Sequence, residues 1–214
     1  TPFGAVQIGP NNINKGWDWC SGYHYSDSIV IGFSHLHLNG TGCSDTGDLL
    51  FMPYTGKVRT QPGTQDDPLS GYASYYSKSN EKALPGYYEV LLETHHIKVE
   101  LTASDRVAFH RYTFPKIAEK YVMINLKDAN GDDRPTDTYL EQVNDTTVRG
   151  YRCSTGWSKQ QQVYFTAVFS EPVHLALYHD SISVQGSILQ GVDVKGNIIV
   201  ASDVEKLDMK VGIS

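Results

Sequence analysis

A chain of 214 residues with 40% hydrophobic and 20% charged residues can bury a sizeable core and is too apolar to be disordered. Its formal charge of −6, with no dense Lys/Arg cluster, excludes the basic footprint of a nucleic-acid binder, and no apolar run is long enough to span a membrane as a helix. There is no internal repeat, low-complexity tract or defensible boundary, so residues 1–214 read as a single domain. No signal peptide opens the chain, which begins abruptly with TPFGAVQIGP, like the interior of a longer gene product.

In chain order, period-two alternation predicts a strand over residues 28–38, through Val30, Phe33, Leu36 and Leu38. An apolar strand over 47–52 is expected to close at Pro53, and QPGTQDDPLS at 61–70 is a loop by composition. Strands follow at 87–93 and 96–103 around a short turn, and at 107–114, stopped by Pro115. One or two helical turns around 116–120 are the best helical candidate. A strand at 121–126 runs into the turn signal NGDD. Residues 139–143 and 147–151 flank Asn144-Asp145 as a hairpin. Runs at 163–169, 173–179, 198–201 and 209–213 complete the series. Many short strands and no helical repeat predict an all-β fold, a large antiparallel β-sandwich with few or no helices.

The densest chemistry lies at 16–48, GWDWCSGYHYSDSIVIGFSHLHLNGTGCSDTGD. Trp17, Trp19, Tyr23, Tyr25 and Phe33 are mixed there with Asp18, His24, Asp27, His35, His37, Asn39 and Asp48. Aromatic faces interleaved with short polar groups suit a sugar, whose C–H faces stack on rings while its hydroxyls find partners. The same residues also suit an ordinary aromatic-rich strand and loop.

His35 and His37 share a strand face, a spacing metal sites use, with Asp45 or Asp48 as a third ligand; the alternative is a pair of hydrogen-bonding histidines that hold loops. His95-His96 sits in a turn and is expected to be solvated. Cys20, Cys43 and Cys153 make an odd count with no zinc-knuckle spacing; buried free thiols are the expectation, a Cys20–Cys43 disulfide the alternative. Asn39-Gly40-Thr41 and Asn144-Asp145-Thr146 match the glycan-acceptor triplet, and Asn39-Gly40 reads as turn chemistry. Ser21, Ser34 and Ser154 lack a nucleophile-elbow setting, and the acid pairs Asp66-Asp67 and Asp132-Asp133 read as solvated. Taken alone, the residues describe a binding or structural half rather than a complete enzyme.

Several blocks in order resemble the N-terminal domain of glycoside hydrolase family 92, the calcium-dependent exo-acting α-mannosidases. They are PFGAVQIGP (2–10), the 16–48 segment, NEKALPGYYEVLL (80–92), IKVELTASDRVAFHRYTFP (97–115), GYRCSTGWSKQQQVYFTAVFS (150–170) and LDMKVGIS (207–214). The resemblance implies a galactose-mutarotase-like supersandwich followed by an (α/α)6 helical toroid that this chain lacks. It implies an inverting reaction, with an acid and a base roughly 6.5–9.5 Å apart, and it places both carboxylates and the calcium ligands chiefly in the helical domain. No catalytic or metal-binding residue is therefore expected here. The implied substrate is α-linked mannose in N-glycans or mannans, α-1,2 first, and the implied location is the bacterial periplasm, the cell surface or the exterior.

By the same resemblance this domain forms one wall of the pocket. Trp17, Asp18, Trp19 and Cys20 fall on the family's Trp-Asp-x-Cys motif, with Trp17 on the leaving-group sugar. Trp19 stands where some members carry a small residue. His24 and Asn39 are weaker substrate-binding candidates. The alternatives are a stand-alone carbohydrate-binding module and a mutarotase-like enzyme drawing an acid–base pair from His110, His174 and Glu100.

Overall fold

The alternation in the sequence becomes two stacked antiparallel sheets. The computed structural model describes residues 4–38, 44–116, 119–130 and 133–214. Its strands in chain order are β1 (Gly9–Asn11), β2 (Ile29–Val30), β3 (Gly32–Ser34), β4 (Leu50–Thr55), β5 (Ser74–Tyr75), β6 (Glu81–Leu84), β7 (Tyr87–Leu92), β8 (Ile97–Ala103) and β9 (Val107–Thr113). There follow β10 (Lys120–Asn125), β11 (Arg134–Asn144), β12 (Thr147–Thr155), β13 (Gln161–Phe169), β14 (Val173–His179), β15 (Ile182–Val184), β16 (Ile188–Gly191), β17 (Val194–Val200) and β18 (Lys206–Ile213). The helical structure among the described residues is three single 3-10 turns, at Trp17–Trp19, Pro68–Ser70 and Lys78–Asn80. The smaller sheet runs β1-β3-β4-β10-β17-β14-β15, the larger β16-β11-β12-β13-β18-β9-β8-β7-β6, and β2 pairs with β5 apart from both.

The two sheets carry different sequence patterns for a physical reason. In the larger sheet one face is in the core and the other in water, so alternation is clean. In β13, Val163, Phe165, Ala167 and Phe169 are buried while Tyr164, Thr166 and Val168 are exposed. In β18, Leu207, Met209, Val211 and Ile213 are buried. The middle of the smaller sheet is covered on both faces, and β4, β10 and β17 read as near-continuous buried runs. Phe51 points inward, where its ring meets that of Phe165 across the sandwich at 5.9 Å. Tyr54 points outward and is buried beneath Tyr72 and His95, each 6.0 Å from its ring centroid.

Several sequence expectations are corrected. The run at 28–38 is two short strands in different sheets. Gly32, at φ 154°, turns between them and lies so close to Leu50 that an added Cβ would sit 2.8 Å from it. Pro53 does not end its strand: β3 pairs with β4 only at Phe33↔Phe51, so β4 continues along an edge that needs no donor from proline. His95 is buried, not solvated. Its Nε2 donates to the carbonyls of Tyr72 (3.0 Å) and Ala73 (3.2 Å), and burial holds its pKa below the usual value. Both residues stand in the turn, and only His96 is exposed, at φ 53°. The helical expectation at 116–120 falls partly outside the described residues, and Lys120 already begins β10, its ammonium donating to the carbonyls of Ser202 and Val204.

Candidate functional site

At one end of the sandwich the loops that follow β1, β10 and β12 and the one that precedes β4 converge. Their hub is Arg152, an inward-facing β12 residue with a fully buried side chain. One guanidinium nitrogen pairs with Asp48 just before β4, and another lies 2.7 Å from Asp133. Nε donates to the Leu126 carbonyl at 2.9 Å. Gln161 donates to the second Asp48 oxygen at 2.6 Å, and Ser154 to Asp133 at 3.2 Å. Burial, with Asp133 nearby, pushes Asp48 above the ordinary carboxylate range despite the pull of Arg152. Asp133 is thus a buried ion-pair partner rather than the solvated acid its sequence neighbourhood suggests; Asp132 lies outside the described residues.

Asn130 forms a second junction. Its Oδ1 accepts from Asn11 (3.1 Å) and its backbone N–H donates to Thr46 O (2.8 Å). Gly22 and Gly47, both at φ 86°, press against it, and a Cβ on Gly47 would lie 2.9 Å from the Asn130 backbone nitrogen. Gly47→Ala is therefore expected to cost about 2–3 kcal/mol, combining backbone strain and crowding. Gly56→Ala is the control, since Gly56 has φ 92° and open space around it. Equal losses for the two variants in urea denaturation would mean that the Asn130 contact contributes nothing.

The aromatic loop at 14–28 sits at this end. Gly16 N–H is bonded to Asn14, and the chain makes the single turn Trp17–Trp19. Trp19 is half-buried: its indole N–H donates to Asp27 (2.8 Å), His24 stacks on it at 4.1 Å, and Lys15 lies over it at 5.6 Å. Asp27 also pairs with Lys15 and accepts the backbone N–H groups of Ser28 and Ile29. Lys78 ties the loop to the larger sheet, with its ammonium donating to Tyr23 (2.7 Å) and Tyr76 (2.9 Å) and lying 5.1 Å from the Tyr25 ring. Burial outweighs this bond and pushes the Tyr23 phenol up to about 12.

The candidate residues thus separate. Trp17 is 67% exposed and Tyr25 73%; Asp18 is exposed beside Trp17, and Cys20 is a buried free thiol. Trp19 and His24 are stacked on one another, which leaves Trp17 as the open indole of the motif. Asn39 and Cys43 lie outside the described residues.

His35 and His37 are not gathered about a common point. His37 Nδ1 meets Gln7 O (2.8 Å) and its Nε2 faces Ser34 and Asn11, whereas His35 points into the core. Among the described residues no group of three or more His, Cys, Asp or Glu is placed to hold a metal, and Asp48 and Asp133 are already engaged by Arg152. Neither carboxylate is therefore free to ligate a calcium ion. The mutarotase-like trio is also dispersed. His110 is in the core, Glu100 accepts from Tyr87 on the larger sheet (2.8 Å), and His174 is exposed on β14 of the other sheet.

Sequence reasoning missed Arg152, Lys78 and Trp157. Trp157 is 80% exposed at the same end, on a turn fixed by Asp45, which accepts both Trp157 N–H and Thr46 N–H at 2.9 Å. The parity of Val148, Gly150, Arg152 and Ser154 puts an arginine on the core face of β12, the one available signal for the hub.

Fold and site together define a large antiparallel β-sandwich with two exposed indoles on tightly anchored loops at one end. The profile of the glycosyl hydrolase family 92 N-terminal domain matches residues 1–214, and the chain belongs to that family. Among solved structures, the family GH92 alpha-mannosidase BT3965 from Bacteroides thetaiotaomicron, in complex with mannoimidazole, is 34% identical at a TM-score of 0.94, over 99% of this chain and 29% of that one. The GH92 glycosyl hydrolase ccman5 is 26% identical at a TM-score of 0.84, over 100% of this chain and 29% of that one. The inverting mannosidase BT2199 from Bacteroides thetaiotaomicron VPI-5482, at 21% identity and TM-score 0.80 over 99% of this chain and 27% of that one, shares the fold. The chain spans under a third of the length of these relatives. No curated protein matches it.

Proposed function

We propose that this chain is the N-terminal wall of the active site of an exo-acting α-mannosidase. The observation that carries the reading is Trp17, an open indole on a loop fixed by Asp27, Lys78 and Asn130. An exposed ring face beside hydrogen-bonding groups suits a pyranose. Trp17 would pack on the leaving-group sugar, with Asp18, Trp19, Cys20 and His24 shaping and holding the loop and Asn39 nearby. β18 runs antiparallel to β13 and pairs Ile213 with Phe165 at the middle of that strand, so the chain at Ser214 is heading towards the end where β13 begins.

A general acid or base must reach the substrate. Asp45 is spent on two backbone N–H groups, and Asp48 and Asp133 on Arg152. Following the resemblance to family 92, we assign the acid, the base and the calcium ligands of an inverting reaction chiefly to a helical domain of the parent protein. The proposed substrates are α-linked mannose residues of N-glycans or mannans, with α-1,2 linkages the first to test. The proposed location is the periplasm, the cell surface or the exterior of a bacterium.

The full-length protein is expected to hydrolyse an aryl α-mannoside, to lose activity on chelation and to regain it with calcium. The 214-residue chain should show no turnover and should bind mannose with a Kd near or above roughly 1 mM. Turnover by the chain alone would place the acid and base within it. Failure of the full-length protein on every α-mannoside tried would overturn the mannosidase reading.

A further inference from the structure

The sandwich holds a buried polar chain that the proposed activity does not use. His35 follows β3 of the smaller sheet, while His110 and Tyr112 stand two apart on β9 of the larger sheet and face the core; all three are fully buried. His35 Nδ1 lies 2.8 Å from Leu49 O, the two imidazole Nε2 atoms are 3.0 Å apart, and His110 Nδ1 lies 2.8 Å from the Tyr112 hydroxyl. Phe51 packs against both imidazoles, at 5.1 and 5.9 Å.

These contacts leave one arrangement of protons. A carbonyl only accepts, so His35 carries its hydrogen on Nδ1 and presents a bare Nε2. His110 must then carry its hydrogen on Nε2 to make the contact between the rings, and its bare Nδ1 accepts from Tyr112. The chain runs one way, from Tyr112 through both rings to Leu49 O. Leu49 has φ 59°, an uncommon conformation for a bulky residue. His35 N–H also donates to Asp48 O at 3.1 Å, and His35 O accepts Gln7 N–H at 2.9 Å. The same residue thus links the sheets and secures the loop that carries Asp48 to Arg152.

We propose that His35, His110 and Tyr112 form an acid-sensitive clasp between the two sheets, which one added proton reverses and thereby loosens. The proton adds to His35 Nε2, which then donates to His110 Nε2. His110 moves its own hydrogen to Nδ1 and donates to the Tyr112 oxygen, and the buried Tyr112 hydroxyl hydrogen is left without an acceptor. Every other hydrogen bond survives, so the penalty of protonation falls on Tyr112 and on placing a charge in the core.

The ionisable groups that act on the pair are His37, on His35, and His35, on His110; Tyr112 is the remaining ionisable group in contact. None of them offsets a positive charge. Burial accordingly takes His35 down to about 4 and His110 well below its usual value. The unfolded chain binds these protons near pH 6.5, so the stability they confer is full above that pH and is lost as pH falls from about 6.5 towards 4.

Ring-nitrogen NMR of the chain at pH 7.5 should find opposite tautomers, hydrogen on Nδ1 in His35 and on Nε2 in His110, with neither ring titrating above pH 5. Like tautomers, or either ring titrating near 6.5, would overturn the clasp. Tyr112→Phe separates it from simple burial. With no hydroxyl to orphan, protonation of the folded chain should become easier, so the folded-state pKa of the pair should rise by about one unit, the size a buried hydrogen bond carries, and the stability lost between about pH 6.5 and 4 should shrink accordingly. An unchanged folded-state pKa and an unchanged acid loss in a folded Tyr112→Phe would show that burial alone sets the acid response. If that variant fails to fold, the wild-type tautomers decide.

Discussion

Replacing Arg152 by methionine is expected to cost about 3–5 kcal/mol of folding stability. Methionine fills much of the arginine volume, so the loss comes from charge rather than from a cavity. Asp48 and Asp133, both buried, would be left without their shared cation, and the Leu126 carbonyl without its donor. Two carboxylates cannot remain ionised side by side without it, and Asp48, already raised by burial, would take up a proton first. The variant should therefore be weakest at neutral pH and recover part of its stability towards pH 5, opposite in sign to the histidine clasp. For a chain of this size the loss lowers Tm by roughly 10 °C. Changing all three residues to apolar ones should recover much of it, because a buried ion triad is worth little more than good packing. Thermal and urea unfolding of the single and triple variants check this. A single variant within about 1 kcal/mol of wild type would mean that solvent reaches the hub.

The sequence reveals most where one face of a strand meets water. β13 and β18 alternate, so their ends at Phe169 and Ile213 are legible, while their starts lie two and three residues before the expected ones. In the smaller sheet the 56–76 segment covers the outer face, and burial on both sides erases the alternation. That cover is also why His95 is inside: a polar residue in a turn looks solvated unless the distant segment packed over it is known. Short strands such as β1, β5 and β15, of two or three residues, owe their conformation to a neighbour rather than to local pattern. At the candidate site the aromatic motif was legible because its residue types are unusual together. Its division into an anchored Trp19 and an open Trp17 was not, because it depends on Lys15, His24 and Asp27 meeting around one indole. The hub was hidden further, since Asp48, Asp133 and Arg152 come from three separate loops and strands.

The largest functional effect is expected from Trp17→Ala in the full-length protein. Trp17 has little to hold in the fold: it is 67% exposed, and the contacts that fix its loop belong to Trp19, Tyr23 and Asp27. Its removal should leave the melting temperature nearly unchanged, whereas Trp19→Phe, which loses the bond to Asp27, should lower it. If Trp17 packs on the leaving-group sugar, the loss appears only when such a sugar is present. Burial of so large a side chain against a ligand is worth about 1–3 kcal/mol, or roughly ten- to hundred-fold in kcat/KM. A mannobioside should show that loss, and methyl mannoside or mannosyl fluoride should show almost none. Positioning moves no proton, so the pH–rate profile should keep its shape, and any response to calcium should persist. Equal losses on the disaccharide and on the small-leaving-group substrates, with an unchanged melting temperature, would place Trp17 at a contact with the remainder of the parent protein instead of on the sugar. The exposed indole would then be an interdomain surface, and Trp157, on its own anchored turn at the same end, would be the next residue to test against the leaving group.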